Sequence, residues 1–322
     1  MMFNYPVGVQ LFNRPDYAEQ MLLSLKGQTL QVNQGILYIF IDGFKGSIYE
    51  KGGSIDKTSE VEDLAKSIFP NAKVIRFERN CGIADLHNKL QLQTFSGGHK
   101  WATFFEEDLI LDESYLQELS ALIEIVDENE SVVKVACFQI IPTLAHLPRG
   151  YEGFYPGHGT QAFAERKIFF IEKQPLVLMF NNLVASDLNH KNQFMNSNIA
   201  SQLAANGHFL TYIQHDSFVE SILHSKGKFH VVTKPNLCRD IGFEGIHSYV
   251  TNTSHIYVEG KFIPKNINIR KQLFADQFMF ITQEAYQNRV NLYKDVIENY
   301  YISRSRRAMI EKIFSKSIKR RK

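Results

Sequence analysis

Trp101-Ala-Thr-Phe-Phe-Glu-Glu-Asp-Leu-Ile-Leu111 drives an aromatic and apolar run straight into three consecutive acids and then returns to apolar residues. Phe104 and Phe105 have high β propensity and no polar neighbour, so the run reads as a buried strand ending at Glu106, Glu107 and Asp108. Side chains alternate along an extended chain, which predicts Glu106 and Asp108 on one side and Glu107 on the other. Two carboxylates 4 Å apart repel by about 4 kcal/mol at an effective dielectric of ~20. A cation between them removes that cost, so one reading is a divalent metal site of oxygen ligands. The competing reading is that the acids precede a helix starting near Asp112, where negative charge suits the helix dipole.

Outward from this stretch, the first half alternates strands with helices. Val7–Phe12 is a dense apolar strand, followed by Asn13-Arg14-Pro15 with Pro15 suited to a helix's first turn. Tyr17, Met21, Leu22 and Leu25 then recur at helical spacing. Ile36–Ile41 is a second strand, stopped by Asp42-Gly43, and Ser59 is placed to cap a helix that Pro70 ends. Lys73–Phe77 is a third strand, and a helix carrying Leu86 and Leu90 follows Asn80-Cys-Gly82. This alternation predicts an α/β fold with a doubly wound, mostly parallel sheet, whose ligands gather at the strands' carboxyl ends. Asn13, Asp42, Asn80 and the acid triplet all fall at such ends.

The second half is less regular. Ser131–Phe138 is a strand, and residues 142–160 are rich in Gly, Pro and His, a loop composition. Residues 161–171 are apolar and aromatic. A helix starts near Asp216, buries Phe218, Val219, Ile222 and Leu223, and ends at Gly227, with a strand at Phe229–Val232.

Composition narrows the class. The chain has 322 residues, 44% of them hydrophobic and 22% charged, within the ordinary range for a globular protein. Its net charge of +2 hides an asymmetry: residues 304–322 carry nine Lys or Arg against Glu311, an excess of eight that leaves the rest near −6. Basic charge confined to one terminus argues against nucleic acid as a partner. Three widely spaced cysteines, without metal-ligand spacing, suit a reducing compartment. The start lacks a basic n-region and a long apolar core. The expectation is a cytoplasmic protein, peripheral on the inner membrane face if its tail docks there.

The ordered set of strand-end residues resembles GT-A fold glycosyltransferases, bacterial family-two-like enzymes and the N-acetylglucosaminyltransferase I group. It comprises Asn13-Arg14-Pro15, Asp42-Gly43, Asn80-x-Gly82-x-Ala84-x-x-x-Asn88 and Glu106-Glu107-Asp108. His215-Asp216-Ser-Phe-Val-Glu220 is similar to that group's Trp-Asp-x-x-Trp segment without its tryptophans, and Cys238–Ser248 to its Asn-Ile-Gly-Phe…His segment. Gln161–Arg166 is a fainter likeness. The resemblance implies an inverting, metal-assisted transfer of a sugar from a nucleotide diphosphate sugar, a UDP-sugar by preference, to a glycan or lipid-linked acceptor. It implies that Asp108 holds Mn²⁺ or Mg²⁺ and that Asp42 receives the base's N–H. Phe12, Asn13, Arg14, Asn80, Gly82, His87, Glu106, Glu107, His247 and Ser248 would contact the donor. It also casts Asp216 as general base, with Glu220 one helical turn on as its backup. From the residues alone, Asp216 reads as a helix N-cap before it reads as a base, Asn13 and Asp42 read as turn residues, and His87 fits a solvated helix position as well.

The expected organisation is a nucleotide-sugar-binding half over residues 1–130, an acceptor-binding half over 131–262, and a C-terminal helical segment over 263–322. Past Ser303, Met309, Ile310, Ile313, Phe314 and Ile318 interleave with the basic residues, as in an amphipathic helix on anionic lipid. A solvated or partner-bound tail fits the same pattern. Two other functions fit parts of the sequence. One is a nucleotidyltransferase, although Asn13-Arg14-Pro15 replaces the Gly-rich phosphate loop such an enzyme needs. The other is a non-catalytic nucleotide- or glycan-binding subunit of a glycan-assembly complex.

Overall fold

The structure is a computed structural model of the chain and describes residues 2–137, 154–156, 161–185, 215–233 and 237–242. The first half contains β1 (Met2–Phe3), β2 (Val7–Leu11), α1 (Pro15–Lys26), β3 (Gln31–Val32), β4 (Leu37–Ile41), α2 (Ile48–Lys51) and α3 (Thr58–Ile68). It continues with β5 (Lys73–Arg76), α4 (Ile83–Thr94), β6 (Trp101–Glu106), β7 (Leu109–Leu111) and α5 (Tyr115–Val126). The second half contains β8 (Val132–Ala136), β9 (Phe154–Pro156), β10 (Ala162–Arg166), α6 (Lys167–Ala185), α7 (His215–Ser225), β11 (Phe229–Thr233) and β12 (Cys238–Asp240).

Eight strands form the central sheet in the order β5-β4-β2-β6-β10-β8-β11-β9. The first four are mutually parallel, and β8 and β11 are also parallel. The expected α/β, mostly parallel architecture is therefore present. Chain order runs β2, β4, β5 away from the centre and then returns to place β6 on the other side of β2. This reversal puts a crevice at the carboxyl ends of β2 and β6. Right-handed crossovers in opposite directions place α1 and α3 on one face and α4 on the other.

The strand the aromatic run predicted is the sheet's centre. Trp101, Ala102, Thr103, Phe104 and Phe105 are at most 1% exposed, between β2 and β10. Phe104 lies 5.5 Å from Phe163 and 5.8 Å from Phe95 between ring centroids, within a core that includes Tyr38, Phe40, Leu90 and Phe170. The apolar and aromatic residues 161–171 divide between two elements: β10 runs antiparallel between β6 and β8, and α6 begins at once at Lys167. One local expectation changes. Ser59 does not cap α3: the helix starts at Thr58 with Lys57 at the N-cap position, and the upstream Asp56 Oδ1 accepts from both the N and Oγ1 of Thr58, meeting the helix's first free N–H.

Contacts divide the chain into two compact units, one of Met1–Gln174 with Gly227–Phe278 and one of Pro175–Lys226 with Met279–Lys322. The boundary falls inside α6 at Pro175, a residue that removes a helical hydrogen bond. In the second unit, α6 and α7 meet through Phe180 and Phe218, stacked at 4.6 Å. Among the described residues no helix is long and apolar enough to cross a membrane. The segment 263–322 with its basic tail lies outside them, as do His247 and Ser248.

Truncating the central ring tests this assignment of the core. Phe104→Ala is expected to cost about 3–5 kcal/mol in urea unfolding. A loss below about 1 kcal/mol would mean that β6 is not the packed centre.

Candidate active site at the carboxyl ends of β2 and β6

β6 ends at Glu106, and Glu107 and Asp108 form the turn into β7. The strand's alternation therefore stops before the second acid, and the expected pairing of Glu106 with Asp108 is replaced by Glu107 with Asp108. Both converge on Arg14, at the end of β2. Its Nε donates to Glu107 Oε1 at 2.6 Å and its Nη2 to Asp108 Oδ2 at 2.9 Å. Phe12 N adds a bond to Glu107 Oε2 at 2.7 Å. Arg14 also lies over the Tyr17 ring at 4.6 Å. Burial opposes the guanidinium charge, but the two acids more than offset it and hold Arg14 above its ordinary pKa. Burial pushes Glu107 upward, against the Arg14 charge and the Phe12 N–H.

Glu106 belongs to a different network. It accepts from Gln10 Nε2 at 3.1 Å, and Gln10 Oε1 lies 3.3 Å from His87 Nδ1. His87 is 4% exposed, edge-on to Phe104. It is neither a solvated helix residue nor a side chain on the crevice surface; it reaches the acids through Gln10. Sequence inspection passed over Gln10 because a lone polar residue in an apolar strand carries no motif.

Asn13 and Asp42 hold loops. Asn13 Nδ2 donates to Ile55 O at 2.9 Å and its Oδ1 accepts from Lys57 N at 2.6 Å, pinning the β4–α3 loop to β2. Asp42 receives four donors: Gly43 N (2.8 Å) and Cys81 N (2.7 Å) on Oδ1, Asn80 Nδ2 (2.9 Å) and Gly82 N (3.1 Å) on Oδ2. A carboxylate has about four lone-pair sites, so an incoming base N–H would have to displace one of these. Burial raises the Asp42 pKa against the pull of its backbone donors. Gly82 has φ +78°, a conformation that favours glycine and lets its N–H turn back to Asp42 as α4 begins.

Beside Arg14, a cleft of about 440 Å³ is lined by Phe12, Asn13, Tyr49, Ile55 and Lys57. The Phe12 and Tyr49 rings lie 5.4 Å apart there. It offers aromatic faces and cationic side chains next to the acid turn.

Asp108 has a second neighbour in the Cys238–Ser248 segment. β12 pairs antiparallel with β7, and Ile241 N donates to Asp108 O at 2.8 Å. This brings Asp240 and Gly242 against the acid. Burial, and then the charge of Asp108, raise the Asp240 pKa. Among the described residues, Asp108 Oδ1 is buried without a hydrogen-bond partner, and no three or more His, Cys, Asp or Glu side chains gather as a closed metal cage. Mg²⁺-type sites rely on one or two carboxylates with water and phosphate oxygens. An orphaned carboxylate oxygen at this turn fits such an ion.

Asp216 and Glu220 lie in α7 of the second unit. Asp216 is in the helix's first turn, its Oδ1 3.7 Å from His215 Nδ1, and Glu220 is 2% exposed. The helix begins at His215, so Asp216 is not its N-cap.

The loop assignment of Asp42 is testable. Asp42→Asn puts an amide N–H against buried donors and is expected to cost about 1–3 kcal/mol in urea unfolding. An unchanged unfolding midpoint with weakened nucleotide binding would instead make Asp42 a base contact.

No family model matches the chain, and no curated protein matches it by sequence. Among solved structures, S. aureus TarS 1-349 in complex with UDP-GlcNAc overlaps 54% of this chain and 48% of its own, at 15% identity and a TM-score of 0.36. The mannosyltransferase PcManGT from Pyrobaculum calidifontis, in complex with GDP-Man and Mn²⁺, overlaps 53% and 48%, at 12% identity and a TM-score of 0.37. A cytidylyltransferase from Leptospira borgpetersenii overlaps 55% and 65%, at 12% identity and a TM-score of 0.32. This chain spans less than two thirds of each. Similarity at this level assigns neither family, donor nor metal.

Proposed function

We propose that the chain is a glycosyltransferase of GT-A type that transfers a sugar from a nucleotide diphosphate sugar, with a UDP-sugar favoured, to a glycan or lipid-linked acceptor. The observation that carries the reading is the Glu107-Asp108 turn, clamped by Arg14 where strand order reverses, beside a cleft with aromatic and cationic walls. The ordered sequence resemblance supports the same reading.

In this proposal the nucleotide lies in the cleft, with Phe12 and Tyr49 offering ring faces and Lys57 and Arg14 offering charge to the phosphates. Glu107 orients Arg14. Asp108 would hold a Mn²⁺ or Mg²⁺ ion, which supplies Lewis-acid neutralisation of the departing pyrophosphate. His247 and Ser248 would close over the donor. Asp216 takes the proton from the acceptor hydroxyl, with Glu220 as backup. The acceptor oxygen bonds to the anomeric carbon as the bond to the phosphate oxygen breaks, with inversion. Residues 1–130 carry the donor, 131–262 the acceptor, and the basic tail after Ser303 would keep the enzyme at an anionic membrane surface near a lipid-linked acceptor.

Mn²⁺-dependent release of UDP across a panel of UDP-sugars, with donor binding followed by thermal shift, tests this. Asp216→Asn is expected to keep donor binding and to lose transfer by about 10²–10⁴-fold. Near-wild-type turnover in that variant would exclude Asp216 as base. Neither binding nor turnover of any nucleotide sugar by the wild type would overturn the function.

A further inference from the structure

One wall of the cleft beside Arg14 is a segment bonded mainly to itself. Residues 46–54 carry α2, which buries none of its own residues. Among the described residues, the hydrogen bonds of this segment stay within residues 44–54. Ser47 N donates to Phe44 O, Gly46 N to Glu50 Oε2, Glu50 N to Ser47 Oγ, and Ser54 N to Tyr49 O. The chain is pinned just outside the segment on both sides. Asn80 donates to Gly43 O at 3.0 Å and to Lys45 O at 2.9 Å, and Asn13 holds Ile55 O and Lys57 N. Just inside each pin is a glycine of positive φ, Gly46 at +89° and Gly53 at +79°, and a Cβ on either would meet no atom within 4 Å. Hinges are a few loop residues that absorb a change in φ and ψ, so these two glycines let the segment swing as one piece between fixed points.

An aromatic contact closes the segment onto the sheet. Tyr49, in α2, lies against Phe12 with ring centroids 5.4 Å apart and planes tilted by 59°. Both rings line the cleft, beside Asn13, Arg14, Ile55 and Lys57. A third flat ring between them needs the outer two about 7 Å apart, because carbon atoms meet at ~3.5 Å on each side. Phe12 is poorly placed to give way, since its N donates to Glu107 Oε2 at 2.7 Å where β2 ends. Tyr49 can move the roughly 2 Å that separates 5.4 Å from about 7 Å, and its segment breaks no hydrogen bond to the rest of the chain in doing so. The amide of Asn13 and the carboxylate of Asp42 are already spent on backbone, which leaves ring faces as the means of holding a base. Stacking suits that task, because every base has a π-face.

We infer that α2 is a lid and Tyr49 its latch: the ring moves off Phe12 to admit a nucleobase and then closes on the base's outer face. The inference rests on the nucleotide reading of the cleft, and adds to it the route by which the base enters and the residue that retains it. The segment carries its own hydrogen bonds with it, so it moves without unfolding.

Stopped-flow binding of UDP to the full chain, with Mn²⁺ present, separates association from dissociation. Tyr49→Ala is expected to weaken UDP binding by about 5–100-fold, the range of one base–aromatic stack. The whole loss is expected in faster dissociation, with association as fast as in the wild type or faster, because the ring that must be displaced is gone. Tyr49→Phe, which keeps the ring, is expected to restore slow dissociation. Melting temperatures identify a variant that fails to fold; should Tyr49→Ala be one, Tyr49→Leu, apolar but without a ring face, decides by the same two rates. Affinity within twofold of wild type in the folded variant without the ring, or a loss carried by slower association, would overturn the lid and leave the nucleotide reading in place. Failure of both UDP and GDP to bind the wild type would overturn the nucleotide reading, and the lid with it.

Discussion

The arrangement of this molecule's crevice depends on one guanidinium. Glu107 and Asp108 leave β6 side by side in a mostly buried turn, where unneutralised carboxylates would repel each other and lack water to compensate. Arg14 binds one oxygen of each. Its backbone follows β2, so the ion pairs also tie the carboxyl ends of the two strands that border the strand-order reversal. The planar fork suits this task, since a lysine ammonium would offer a point charge and could not span two acids in one fixed geometry.

Around that clamp, several residues that look like ligand contacts hold backbone instead. Asn13 fastens the β4–α3 loop, Asp42 gathers four donors from Gly43 and residues 80–82, and His87 lies beneath the crevice, joined to Glu106 through Gln10. The Asn13 bonds to Ile55 and Lys57 shape a wall of the cleft beside Arg14 before any ligand arrives. Preformed walls of this kind suit binding, because the loops do not have to be ordered at ligand expense.

Much of this was legible in the residues. The aromatic density of Trp101–Phe105 identified the central strand, and the alternation of strands with helical repeats in residues 7–94 identified the parallel half of the sheet. Pro15 was read correctly as the first turn of α1. The second half resisted reading because β10 is antiparallel and passes directly into α6, so the period changes at Lys167 with no turn residue to mark it. The contacts of Gln10, Gln161 and Asp240 were not legible for a different reason. Each is one polar residue whose meaning comes from partners 77 to 96 positions away in the chain.

The sequence by itself determined the α/β class, the central strand, and which strand ends carry acids and amides. Those follow from local periodicity and from residue types at element boundaries, which short-range sterics and burial control. Only the tertiary structure decided which acids face each other. The strand's two-residue alternation ends at Glu106, and the turn that follows swings Glu107 and Asp108 together onto Arg14. It also decided that Asp240 meets Asp108, because β12 pairs with β7 across more than a hundred residues of intervening chain. Charge pairing between distant segments has no local signature; it exists only once the sheet has formed.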